Sequence, residues 1–165
     1  AVTAPPADPN WNLPALGSLA DRVILMVYGE HWQTGSPGPI ASDPWFTSVL
    51  SRVLKQLPSG RVTVALASYA YDWPASGPAA ILSIDQAEAL AAQKGVRPER
   101  DLVSGSAHFS YSVDGVQHTV WLSDATVVRQ ELAIGRAAGA RSFALWRLGT
   151  EDPAIWHSTE LGSGL

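Results

Sequence analysis

Arg22-Val-Ile-Leu-Met-Val-Tyr-Gly-Glu-His-Trp32 is the stretch on which the fold turns. Residues 23–28 form an unbroken apolar run of strand-forming types. Polar alternation is absent, so both faces of this strand are expected to be covered, as in a parallel sheet flanked by helices. The run stops at Gly29, and Glu30, His31 and Trp32 follow at once. A carboxylic acid, an imidazole and an indole at the C-terminal end of a buried parallel strand mark a ligand site in barrels and open α/β sheets alike. The competing reading is that these three residues merely begin a surface loop.

The same unit recurs downstream. Asp43-Pro44 starts a helix, with the acid expected as N-cap and the proline at the first helical position. Phe46, Val49, Leu50, Val53, Leu54 and Leu57 recur at helical spacing, and Gly60 is expected to close the helix. Residues 61–67 read as the second buried strand, ending in Ser68-Tyr-Ala-Tyr-Asp-Trp73. A strand, a crossover helix and a strand make a right-handed parallel unit. Ser83-Ile-Asp-Gln86 reads as a capping box for a helix to about residue 93. Residues 107–113 and 116–122 alternate around Asp114-Gly115, a strong hairpin signal. Ser123 or Asp124 caps a further helix that Gly139 stops, and residues 142–148 read as the third buried strand. The domain expectation is a proline-rich lead-in over 1–14, with a short helical turn from residue 13. One partial barrel domain then spans 15–160, with a hairpin insertion over about 105–122, and a tail covers 161–165.

Composition narrows the function classes. The chain has 165 residues, 46% hydrophobic and 16% charged, enough for one domain with a real core. Its net charge of −4, with no basic run, argues against a nucleic-acid or anionic-membrane partner. No apolar stretch approaches the ~20 residues of a membrane span. With no cysteine, thiolate metal sites and cysteine nucleophiles are excluded. Seven tryptophans is a high count for this length. Flat apolar rings with an N–H donor suit the faces of sugars, although several are expected to fill the core.

Five motifs occur in a telling order: Met26-Val-Tyr28-Gly29, Pro37-Gly-Pro-Ile-Ala41, Tyr69-Ala-Tyr-Asp-Trp73, His118-Thr-Val-Trp-Leu-Ser-Asp124 and Leu145-Trp-Arg-Leu-Gly149. Together, from Asn10 to Trp156, they resemble the C-terminal part of the chitinase-like (β/α)₈ barrels of glycoside hydrolase family 18. The branch they resemble is the bacterial one with spore-cortex-lytic and deacetylase-fused members. The resemblance implies that the three buried strands correspond to the family's sixth, seventh and eighth. It implies that Tyr28 contacts the substrate's acetamido group or the reacting sugar, and that Trp146 floors the sugar site. It also implies a secreted or cell-envelope location. Two departures matter: the family's Asp-x-x-Asp-x-Asp-x-Glu motif is not in this sequence, and Gly29 stands where the family's Met-x-Tyr-Asp motif has its aspartate. Chitinase chemistry is therefore not inherited by name.

The expectation is an α/β fold, a half TIM barrel of parallel strands and crossover helices with a β-hairpin insertion. Two open edges and a bare apolar face would be closed by homodimerisation, or in a monomer by the hairpin and lead-in. If such a domain is catalytic, other acids must act. Glu30 is the first candidate, since it shares strand parity with Tyr28 if the strand runs on. Asp72 and Glu151 follow, each at the same end of its strand. Two carboxyls across a cleft meet the need of glycoside cleavage. Each has a plain alternative: a solvated loop acid, a loop brace and a turn former, respectively. His31, Trp32, Tyr71, Trp73 and Arg147, with Tyr28 and Trp146, complete the expected sugar site. His108 and His118 are expected as cross-strand residues. No metal-ligand spacing appears, and no cofactor is called for. The favoured function is a glycosidase of reduced architecture. The alternatives are a non-catalytic carbohydrate-binding remnant and an inactive piece of a longer enzyme.

Overall fold

In the computed structural model, residues 1–6, 8 and 10–157 are described. The elements are β1 (Val2–Ala4), α1 (Leu13–Leu19), β2 (Val23–Met26), α2 (Asp43–Val53), β3 (Val62–Ala67), β4 (Ala70–Pro74) and β5 (Ala80–Leu82). They continue as α3 (Ile84–Lys94), β6 (Glu99–Arg100), β7 (Ala107–Val113), β8 (Val116–Leu122), α4 (Ala125–Ala137) and β9 (Phe143–Trp146). The fold is a mixed α/β arrangement of two sheets. The tail expected over 161–165 lies outside the described residues.

The first sheet is parallel throughout, in the order β1-β2-β3-β9. Val23 pairs with Val62 and Val64 with Phe143. Every residue of β3 is buried, and its one polar side chain, Thr63, is hydrogen-bonded to Arg22 and Ser142. Phe46, Val49, Leu50 and Val53 of α2 and Val128 and Leu132 of α4 pack on Val23, Leu25, Val64 and Leu66 in one core. Each such side chain, fully buried, is worth about 1.5–3 kcal/mol of apolar transfer.

Helix α2 starts one residue earlier than its sequence implies. Ser42, and not Asp43, is the N-cap, its hydroxyl accepting from the Trp45 amide at 3.3 Å. The helix also ends well before Gly60, with Leu54 as its C-cap. Pro58 supplies the reason: proline lacks an amide donor and disfavours helical geometry in the residue before it. At the N-terminus of the chain, Val2–Ala4 pairs in parallel with β2, and Ala4 is fully buried. Here the proline-rich lead-in contributes an outer strand. The prolines begin at Pro5, beyond the pairing residues, so no ladder donor is lost.

The insertion is larger than a hairpin. It begins at β4 and forms an antiparallel sheet, β5-β4-β8-β7-β6, with α3 on its back face through Ile84, Ala87 and Ala91. The hairpin itself turns as its sequence indicates, with Asp114 at φ 51° and Gly115 at φ 78°. The capping box of α3 is formed as well, Ser83 bonding the Gln86 amide and Gln86 returning to the Ser83 amide. Strand β4 pairs with β8 from Ala70–Leu122 onward, a long-range contact that leaves no local pattern.

Candidate functional site

The C-terminal ends of β2, β3 and β9 converge at one edge of the parallel sheet. Just past β2, Gly29 takes φ +90°, a backbone conformation open to glycine, and the strand ends there. The amides of Gly29 and Glu30 both donate to the Ile40 carbonyl, at 2.9 and 3.0 Å. Glu30 then folds back so that its Oε2 accepts from the Ser42 amide at 2.6 Å. The parity that would aim Glu30 beside Tyr28 is broken at Gly29. Its carboxylate sits instead at the N-terminus of α2, where the unpaired amides and the helix dipole favour an anion. His31 places Nδ1 2.9 Å from the Ser36 carbonyl, and its ring lies against Gly38, where an added Cβ would sit 2.4 Å from it. Trp32 is 57% exposed and donates from Nε1 to Thr34 Oγ1 at 3.1 Å.

Behind this loop stands an aromatic wall. Tyr69, Tyr71 and Trp73 alternate onto one face of the chain leaving β3. The Tyr69 and Tyr71 rings meet edge-on at 5.1 Å, and Tyr71 and Trp73 at 5.0 Å. Tyr28 packs against this group, and Trp121, paired across the strands with Tyr71, extends it. His108 stacks on Trp121 at 4.6 Å. Burial, and secondarily the neighbouring Tyr71, push the Tyr28 hydroxyl up to about 12. Burial and then Tyr71 push Tyr69 up further. These phenols are therefore neutral hydrogen-bonding groups at ordinary pH. Trp146, at the end of β9, is 51% exposed, and its peptide bond to Arg147 is cis. The Trp146 carbonyl accepts from the Ser68 amide at 2.8 Å. Arg147 is exposed beside it.

The structure places the three candidate acids in three separate networks. Asp72 points to the opposite face of β4 from Tyr71 and Trp73. Its Oδ2 accepts from the Tyr111 hydroxyl at 2.7 Å, and its Oδ1 lies 2.9 Å from His118 Nδ1. Tyr111 and His118, cross-strand partners, stack at 4.8 Å. Glu151 accepts from the Gly149 amide within its own turn. Slight desolvation pushes its carboxyl up, but the amides of Glu151, Gly149 and Thr150 and the Trp156 side chain outweigh that and hold it below the usual range. Glu30, as described, braces α2.

One buried acid lies outside the candidates that the sequence suggests. Glu131 of α4 is fully buried, and burial first, then the charge of Asp43, raises its carboxyl well above the usual range. Burial raises Asp43 as well. The signal was present: an acid interrupts the buried stripe Val127, Val128, Leu132, Gly135 of α4. Tyr69, Tyr111 and His118 also carry more of the site's structure than expected. Among the described residues no three His, Cys, Asp or Glu side chains gather as a metal site, and no helix is long and apolar enough to cross a membrane.

Comparison with known proteins places this geometry. No family model matches the chain. The uncharacterized glycosylase YvbX of Bacillus subtilis is 27% identical over 99% of the chain, which spans about half (49%) of that relative. The crystal structure of the spore cortex-lytic enzyme SleL of Bacillus cereus superposes with a TM-score of 0.85 and 26% identity, over 94% of this chain and 39% of that one. A chitinase from Chromobacterium violaceum superposes with a TM-score of 0.84 and 31% identity, over 98% of this chain and 53% of that one.

Proposed function

We propose, from the premise that this chain is a homologue of the spore cortex-lytic enzymes and chitinases and corresponds to part of a glycoside hydrolase family 18-like domain, that it acts in glycosidic-bond hydrolysis by holding the sugar. Family-level glycoside hydrolase function rests on those homologues. The observation that carries the finer reading is the aromatic platform: exposed Trp146 and half-buried Tyr28 at the ends of β9 and β2, backed by Tyr69, Tyr71 and Trp73. A sugar ring lies flat on an indole, and neutral phenols offer hydrogen bonds to its substituents. An N-acetylated sugar fits Tyr28 as the acetamido contact. Trp32 and Arg147 flank the platform, and His31 positions the loop that carries Trp32.

For the acid, Glu30 remains the first choice. One of its oxygens is held by the Ser42 amide, and the group is only partly buried at the sheet's C-terminal edge. Asp72 or Glu151 would serve as the second carboxyl. A specific observation favours the second reading, a non-catalytic carbohydrate binder: each of the three acids is already engaged in a hydrogen bond within the protein. The experiment is turnover of fluorogenic glycosides, N-acetylated and not, by the parent and by Glu30→Gln. Turnover abolished by the mutation, with the fold intact, supports the assignment of Glu30. Turnover indifferent to the mutation discards Glu30 and keeps the glycosidase. Failure to turn over any sugar, with tryptophan fluorescence still responding to chitin or peptidoglycan fragments, leaves the binder.

The sheet's outer strands, β1 and β9, each pair on one side only among the described residues. Such edges recruit further strands. We read the sheet as a half barrel closed by a second copy, and sedimentation of the purified chain tests this. A monomer overturns the homodimer and leaves the same edges as the place where strands of a longer polypeptide add.

A further inference from the structure

Where the antiparallel sheet joins α2 and α4 lie several buried side-chain oxygens that make no hydrogen bond among the described residues. Asp43 Oδ1, Ser106 Oγ, Ser123 Oγ, Gln130 Oε1 and both carboxylate oxygens of Glu131 are buried and lack a hydrogen-bond partner among the described residues. Ser106 is 1% exposed, and Ser123 and Glu131 are 0% exposed. Buried polar groups in folded proteins are met by protein, water or an ion, so a concentration of unmet oxygens calls for a ligand.

Several contacts bring these residues together. A Cβ placed on Gly105 would lie 2.8 Å from Asp43 Oδ2 and 3.1 Å from Gln130 Oε1, so both side chains reach the same point of backbone. Gly105 takes φ +76°, which suits glycine there. The Asp43 amide donates to the Ser104 carbonyl at 3.0 Å, which ties α2 to the turn that precedes β7. Ala107 pairs with Leu122, and Ser106 and Ser123 are the residues immediately beyond that pair. The Ser123 amide donates to the Tyr69 carbonyl at 3.0 Å, and Glu131 lies near enough to Tyr69 and to Asp43 to act on the charge of each.

We infer that this cluster binds a hard divalent cation of the Ca²⁺ class. The carboxylates of Asp43 and Glu131 would supply the charge, and Gln130, Ser106 and Ser123 would supply neutral oxygens. The donor set is all oxygen, which selects hard cations over zinc or copper. Two carboxylates match one divalent charge, which resolves their mutual repulsion in a buried setting. With both carboxylates bidentate the five side chains would offer about seven oxygens, within the range that Ca²⁺ takes, in the irregular geometry that Ca²⁺ accepts and Mg²⁺ does not. The ligands come from four places in the chain, which is why no sequence spacing reveals them. Bound there, the cation would clamp the antiparallel sheet to α2 and α4.

The test uses the full chain, stripped with a chelator and titrated with calcium, magnesium and terbium chlorides. Melting temperature and terbium emission sensitised by the nearby aromatic wall are the readouts. Calcium is expected to raise the melting temperature saturably, more than magnesium does, and terbium to emit and be displaced by calcium. Glu131→Gln and Ser123→Ala are expected to weaken calcium binding at least about tenfold, while Glu88→Gln, on α3, leaves it unchanged. Ser123→Ala keeps the test valid if Glu131→Gln does not fold. A parent that responds to none of the three cations, or a response that survives both substitutions, overturns the site.

Discussion

Replacing Tyr111 by Phe removes the one hydroxyl that meets Asp72 Oδ2, at 2.7 Å, in a position where Asp72 is 8% exposed. A hydrogen bond to a charged acceptor contributes about 1.5–3 kcal/mol, and a desolvated oxygen left without a donor loses that much. His118 stays 2.9 Å from the other oxygen, so the charge is not left wholly alone and the cost stays within that range. For a chain of this size each kcal/mol moves the melting temperature by about 2–4 °C, so Tyr111→Phe is expected to lower it by roughly 3–12 °C. Asp72→Asn should destabilise comparably, and the double variant should cost less than the two singles together, with a coupling of about 0.5–3 kcal/mol. Urea unfolding followed by far-ultraviolet circular dichroism measures all four corners of the cycle. Glycoside turnover is read on the same samples. If Asp72→Asn leaves stability unchanged and abolishes turnover, Asp72 is a chemical group, and its description as a brace of the second sheet is wrong.

Tyr28, held up to about 12 by burial and by Tyr71, stabilises the fold only while its phenol is neutral. Its folded value lies above its unfolded one, so its contribution is full below about pH 10 and is lost as pH rises through about 12. Tyr28→Phe should flatten that alkaline limb in pH-dependent unfolding. Gly135→Ala on α4 would place a Cβ 2.6 Å from the buried Phe143 ring. Helix propensity returns about 1 kcal/mol, but overpacking costs about 1–3, so a net loss is expected in chemical denaturation, relieved by Phe143→Leu. Ser42→Ala removes the N-cap of α2 and should cost about 1 kcal/mol, with a larger loss if Glu30 is also changed to Gln, since both serve the same helix end.

What is legible in this sequence is what is decided locally. Strand β3, buried throughout, shows as a nearly continuous apolar run, whereas β2 and β9, expected to be buried in the same way, are buried only in part; the capping box at Ser83 and the turn at Asp114-Gly115 form as their residues require. Less legible is what depends on a distant partner. The Asp72 acceptors find Tyr111 39 residues away and His118 46 away, and no local pattern at 72 announces either. Strand β4 looks like a loop until β8 is laid beside it. For Glu30 the failure is smaller and instructive: two-residue parity holds only while the backbone is extended, and one glycine at positive φ ends it. Strand β1 was hidden because three residues before a proline pair are too few to show a period.

The insertion leaves the parallel sheet at Ser68 and returns at Ser123, and these two points touch. Ser68 Oγ donates to the Ser123 carbonyl at 3.3 Å, and the Ser123 amide to the Tyr69 carbonyl at 3.0 Å. A segment whose ends meet can change length at little cost in loop closure. In evolutionary terms it is a cassette, free to be lengthened, shortened or exchanged between lineages while the strands on either side keep their register. The exchange is not free of consequence, because Tyr71 and Trp73 leave with the cassette. A lineage that swaps it keeps its parallel sheet and replaces two of the rings that pack behind Tyr28.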